Sequence, residues 1–152
     1  MKPEKLAEKA KLASDVLAHA STDEKNRILE RLAVALEKNR NYLYEENEKD
    51  IKAAEKEGLP KSMIDRLRID DKLIMEMQGS LRDVAVLPDP EGEMVKVWKR
   101  PNGLLAGRMR IPIGVILIIY ESRPNVTIEA FSLCLKSGNC VILKGGSEAY
   151  HS

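Results

Sequence analysis

Residues 111–152 are almost free of charge. They carry six charged side chains (Glu121, Arg123, Glu129, Lys136, Lys144 and Glu148), in a chain of 152 residues that has 25 Lys+Arg and 24 Asp+Glu in all. The stretch opens on the run IGVILII (113–119) and ends on a second, NCVILK (139–144). The first run is apolar without alternation, the pattern of a strand covered on both faces. Between them Val126, Ile128, Ala130, Phe131, Leu133, Cys134 and Leu135 form a mostly buried helix, closed by Lys136-Ser137-Gly138. Strand, helix and strand over 113–144 make one βαβ unit. Its parallel strands require the crossover, and its hand is almost fixed. This unit sets the fold class as α/β.

Everything before residue 87 reads as helix. Leu6, Ala10, Ala13, Leu17 and Ala20 recur on one face of a first helix. Ser21 and Glu24 have the spacing of a capping box, ahead of a second helix with Ile28, Leu29, Leu32, Ala33 and Leu36 inward. A third helix carries Leu43, Asn47, Ile51 and Ala54 and stops at Gly58, before Pro60. Ser62 starts a short fourth, and Asp70 caps a fifth with Leu73, Ile74, Met77, Leu81 and Val84 inward. Charged stretches such as KNRNYLYEENEKD are solvated helix faces. His19 stands at the end of the first helix with no second ligand at metal-binding spacing, so no metal site is expected.

LPDPEGE (87–93) is a Pro/acidic linker. MVKVW (94–98) then alternates, Pro101-Asn102-Gly103 turns the chain, and LLAGRMRI (104–111) runs back as a β-hairpin. Lys96, Lys99, Arg100, Arg108 and Arg110 make the ribbon basic. Two readings stand: edge protection by charge, or an arm that joins another subunit's sheet. Nucleic-acid binding ranks below both, because the ribbon offers no aromatic stacking platform. The net charge of +1 likewise excludes a protein whose affinity for nucleic acid or membrane comes from a global field. The longest apolar run, 111–119, contains Pro and Gly and is too short to cross a bilayer. MKPEKLAEKAK has no signal-peptide core, and the two cysteines make no disulfide framework, so a reducing cytoplasm is expected. The chain divides as 1–86 helical, 87–111 linker and hairpin, and 112–152 the start of a parallel sheet.

Ligands of open α/β sheets bind outside the carboxyl ends of the strands. Two loops lie there, Tyr120–Asn125 and Lys144–Glu148. Gly145 and Gly146 let backbone come close to a ligand, amides around Ser147 and Glu148 open the next helix, and Lys144 adds a cation. KGGSE is neither a P-loop nor GxGxxG. Its spacing fits an anion site, and it fits a plain αβ turn with a surface lysine too. Cys134 and Cys140 are assigned to packing, since free cysteine is among the most buried residue types.

The string IYESRPNVTIEA, followed by LKSGN and LKGGSEA, resembles the gamma-glutamyl phosphate reductase family of the aldehyde dehydrogenase superfamily. STDEKN, EENEKDIKAAEKEG and MIDRL are similar to that family's N-terminal layout, so the resemblance covers the whole chain. It implies a helical layer, a hairpin arm and the first βαβ unit of a truncated Rossmann-type cofactor domain. It also implies NADPH-dependent reduction of L-glutamyl 5-phosphate to glutamate 5-semialdehyde and phosphate, in proline biosynthesis. The partners implied are that small-molecule substrate and, through the 94–111 hairpin, a second copy of the complete protein; neither nucleic acid nor membrane is implied.

The same resemblance places the family's lysine, on the adenosine ribose and 2′-phosphate of the cofactor, at Lys144, with Ser147 and Glu148 as the Ser-Glu pair that follows. Gly145-Gly146 is one residue longer than the family's usual single proline there. The catalytic cysteine belongs to a later motif beyond Ser152, so no residue of this chain is assigned as nucleophile. Where many aldehyde dehydrogenases have an oxyanion-binding asparagine in a Trp-Asn-Phe-Pro turn, this chain has Ser122-Arg123-Pro124-Asn125. Arg123 and Asn125 are therefore expected to face an anionic acyl phosphate, with helix capping as the other reading of Asn125. Two further classes remain: a non-catalytic remnant or assembly module of the family, and another aldehyde dehydrogenase. YESRPN with KGGSEA favours the reductase over the latter.

Overall fold

The computed structural model describes residues 2–152; Met1, the first residue of the helical part, lies outside them. Five helices come first: α1 (Pro3–Leu17), α2 (Thr22–Lys38), α3 (Arg40–Lys56), α4 (Lys61–Leu67) and α5 (Asp71–Val86). The hairpin β1 (Met94–Lys99) and β2 (Leu105–Met109) follows, then β3 (Val115–Ile119), α6 (Pro124–Lys136) and β4 (Cys140–Lys144).

The helix starts obey local chemistry. Ser21 and Glu24 form the expected capping box, and the Asp70 side chain accepts the Leu73 N–H at the start of α5. α4 begins at Lys61, one residue before the expected Ser62, because Pro60 supplies the extended residue ahead of it. In α1 the inward residues are Ala10 and Ser14 rather than Ala10 and Ala13, since the Ser14 hydroxyl is satisfied within the helix by the Lys11 carbonyl, at 2.7 Å.

The core joins the helical part to the βαβ unit. Leu29, Ala33 and Leu36 of α2 pack on Ile74, Met77, Leu81, Val84 and Ala85 of α5, and Leu135 of α6 closes the cluster. Burying a side chain such as Leu29 or Leu81 contributes about 1.5–3 kcal/mol. Polar groups inside are paired. Lys136 is 4% exposed and donates to Asn26 Oδ1 (2.6 Å) and to the Ala85 carbonyl (2.9 Å), a cation placed on the last turn of α5. Asn47 of α3 donates to the Leu67 carbonyl and accepts the Ile69 N–H, so it replaces the backbone partners that the bend after α4 lacks. Buried Lys25 of α2 holds the 87–93 linker through Asp89 and Glu91.

β3 and β4 pair in parallel, from Val115 opposite Cys140 to Ile119 opposite Lys144, while β1 and β2 form a separate antiparallel ribbon. α6 ends in a Schellman motif: the Asn139 N–H bonds the Cys134 carbonyl, the Gly138 N–H bonds that of Leu135, and Gly138 sits at φ 72°. The Asn139 side chain then accepts the N–H groups of Ile113 and Gly114, fixing where β3 begins. Two expectations for this unit fail. β3 is not covered on both faces, because α1 and α6 lie along β4 and leave Leu117 and Ile119 at 59% and 69% exposure. After Gly146 the chain makes a single 3-10 turn, Ser147–Ala149, in place of a helix start.

Candidate functional site

The parallel register brings the carboxyl ends of β3 and β4 side by side, and the Tyr120 N–H bonds the Lys144 carbonyl at 3.1 Å. The two expected loops therefore leave the sheet together, which is where open α/β sheets hold ligands. They are joined twice. The Ser122 hydroxyl donates to the Glu148 carboxylate at 2.7 Å, across Gly146. The Tyr120 hydroxyl, paired with Thr127 Oγ1 at 2.5 Å, stands over Gly145. A Cβ on Gly146 would collide with Ser122 Oγ and the Glu148 carboxylate, whereas one on Gly145 would meet only ordinary contact, 3.4 Å from the tyrosine oxygen. The second glycine thus leaves room for the bond that ties the loops.

Between the loops and α4 lies a cleft of about 310 Å³, lined among others by Arg66, Glu121, Ser122, Arg123, Gly146 and Glu148. The Glu148 carboxyl is held below its usual value by its own N–H and then by the Ser122 hydroxyl, against a smaller opposing effect of burial. Arg123 makes no side-chain hydrogen bond among the described residues, and it also borders a neighbouring cleft of about 300 Å³.

Of the expected site residues, Arg123, Gly146 and Glu148 share the main cleft. Asn125 lies in the neighbouring one, where its amide donates to Glu129 at 3.0 Å. It does not cap α6. Pro124 takes the first helical position, so Arg123 is the cap residue and Asn125 falls inside the first turn. Ser147 faces a smaller hollow beside Asp50 of α3. Lys144 is exposed at the end of β4 and has no carboxylate within 4 Å among the described residues. Sequence reasoning missed Arg66, because α4 is distant in the chain and carries no ligand signal of its own. It also missed Ser122 and Tyr120 as loop ties, although both stand inside the loop it singled out.

Neither cysteine is near the cleft lining. Cys134 is buried, and burial, then the neighbouring Cys140, push its thiol above the usual value. Among the described residues no cluster of His, Cys, Asp and Glu could hold a metal, and no helix is long and apolar enough to cross a membrane.

No family model matches the chain. Curated relatives do: it is 55% identical over 149 residues to the gamma-glutamyl phosphate reductase of Sulfurihydrogenibium sp. and 54% identical over 147 residues to that of Geobacter metallireducens. These alignments cover 98% and 97% of this chain but 33% and 35% of the relatives, so the chain spans about a third of their length. Among solved structures it superposes on gamma-glutamyl phosphate reductase from Thermotoga maritima with a TM-score of 0.92 at 46% identity, over 95% of this chain and 35% of that one. The Saccharomyces cerevisiae enzyme gives 0.91 at 34% identity, over 99% of this chain and 39% of that one. In sequence and in fold alike, this chain is the counterpart of the N-terminal third of the gamma-glutamyl phosphate reductases.

Proposed function

We propose that the chain forms the cofactor-gripping front part of an NADPH-dependent reductase that converts L-glutamyl 5-phosphate to glutamate 5-semialdehyde and phosphate, a cytoplasmic step of proline biosynthesis. The observation that carries the reading is the paired-loop cleft at the carboxyl ends of β3 and β4, occurring in a chain so similar to reductases of that name. Bound NADPH would supply hydride to the substrate's carbonyl carbon. The residues present fit such a group. Lys144 offers an unpaired cation to the 2′-phosphate, and Gly145, Gly146 and Ser147 give a loop of small residues next to it, with the Glu148 side chain held aside by Ser122. Arg123 faces the acyl phosphate from the other loop, and Asn125 stands beside it. The nucleophile is neither Cys134, whose burial pushes its thiol up and away from the thiolate that attacks, nor Cys140, which stands in β4; the reading assigns it to a part of the reductase outside this chain.

The hairpin completes the proposal as an oligomerisation arm. Val95, Val97, Leu105 and Met109 are each more than half exposed, so the ribbon has apolar surface to offer a second copy.

The test uses the full-length reductase carrying this chain. Lys144→Ala is expected to raise the KM for NADPH about tenfold or more, as loss of a charge-assisted contact does, and to leave NADH within twofold. An equal effect on both nucleotides would remove Lys144 from the 2′-phosphate. No NADPH-dependent turnover of L-glutamyl 5-phosphate by the unmodified protein would sink the reading itself.

A further inference from the structure

Arg66 and Glu121 face each other over the main cleft, one from α4 and one from the loop after β3, with Arg66 Nη1 3.7 Å from Glu121 Oε2. That separation is too long for a hydrogen bond, and neither side chain makes another among the described residues. Both remain substantially exposed, at 53% and 81%. An ion pair so placed contributes little to folding. Nor does α4 depend on it: Leu67 is 1% exposed in the core, and Asn47 holds the Leu67 carbonyl at 2.7 Å. The arginine thus stands on a fixed element and keeps its donors for something else.

Two other charges line the cleft. Glu148 is taken by Ser122 and its own N–H, and Arg123 lies on the substrate loop without a partner. Apart from Arg123, what is left is one guanidinium and one carboxylate, close together and both under-used. An α-amino-acid head presents the complementary pair, a carboxylate that suits a guanidinium fork and an ammonium that suits a carboxylate. We propose that Arg66 and Glu121 together read the zwitterionic head of the substrate, Arg66 its α-carboxylate and Glu121 its ammonium, leaving Arg123 for the phosphoryl end. The proposal rests on the reductase reading above and adds to it how an amino-acid acyl phosphate is told from a simple one.

The experiment runs the full-length reductase in the aldehyde-oxidising direction, with NADP+ and inorganic phosphate, on three aldehydes. L-Glutamate 5-semialdehyde carries both head charges, 5-oxopentanoate lacks the ammonium, and butanal lacks both. Arg66→Leu should raise the KM about tenfold for the first two and leave butanal within twofold, and Arg66→Lys should recover part of the loss. Glu121→Gln should raise the KM for the semialdehyde about tenfold and spare 5-oxopentanoate. Butanal turnover also reports that each variant is folded. Variants that slow all three aldehydes alike, or that leave the semialdehyde unaffected, overturn the assignment while the reductase reading survives. An unmodified protein inert toward all three overturns both.

Discussion

Gly146 shows how one missing side chain organises two loops. Its φ of −66° is one that any residue adopts, so the need for glycine there is a matter of space. Alanine would push into Ser122 Oγ and the Glu148 carboxylate, and the hydrogen bond between them would have to open. Gly146→Ala is therefore expected to cost about 1 kcal/mol and Gly145→Ala less than half of that. On a Ser122→Ala background the Gly146 penalty should shrink, because one of the colliding atoms is gone. Denaturant unfolding of the four variants checks the order; equal costs at Gly145 and Gly146 would show that the loop tie contributes nothing. The KGGSE string announced backbone freedom at the right place. It could not announce the partner, since Ser122 sits 26 residues away and meets Glu148 only through strand pairing.

At the level of elements, the linker between α5 and β1 is held as much by charge as by packing. Lys25 is 1% exposed and lies 3.1 Å from Asp89 and 2.5 Å from Glu91, whose side chains are 10% and 24% exposed. Burial raises the Asp89 carboxyl, but the Glu91 N–H, Lys25 and Thr22 together bring it below its ordinary 3.8. Burial likewise lowers Lys25, and its bonds to Glu91 and Asp89 outweigh this and raise it above 10.5. The depressed carboxyl gives stability that is complete above pH 3.8 and fades as the pH falls through its lower folded value. The raised lysine gives stability that is complete below pH 10.5 and fades as the pH climbs past its higher folded value. Lys25→Ala leaves two partly buried carboxylates facing each other and should cost about 3 kcal/mol at neutral pH. It should also flatten the acid limb of stability against pH, as urea unfolding between pH 2 and 7 would register. An unaltered acid limb would exclude the linker from acid unfolding. This contact was not legible in the sequence, where Lys25 reads as one more charge on an amphipathic helix. The capping box beside it was legible, because its partners stand three residues apart. Asn125 marks the limit of such local rules: the residue type suits a cap, yet Pro124 had already fixed where the helix begins.

Across the whole molecule, stability is distributed unevenly. The α2–α5–α6 core contains Leu29, Ala33 and Leu81, none with any exposure, whereas the hairpin is an isolated two-stranded sheet with Met94, Val95, Val97, Leu105 and Met109 each over half exposed. A lone two-stranded ribbon is marginal in water. Amide hydrogen exchange in dilute solution should therefore be slow over α2 and α5 and fast over 94–109. If the ribbon is an arm for a second copy, its exchange should slow as protein concentration rises, while the helices stay unchanged. Protection of the hairpin that is high at every concentration would count against that role. The division into helices, ribbon and βαβ unit was legible because each has its own hydrophobic period. The uneven cover of β3 was not, since the open side of Leu117 and Ile119 depends on where α1 comes to rest.

The buried ammonium of Lys136 carries this unevenness into time. Its two acceptors are separated from it by 110 residues at Asn26 and 51 residues at Ala85. Translation at about 10 residues per second would expose α2 roughly ten seconds before α6 leaves the ribosome. Over that interval α2 and α5 can meet, but the seat between Asn26 and the end of α5 stays wet. The nascent chain therefore completes its interior late, when a single lysine arrives and shuts it.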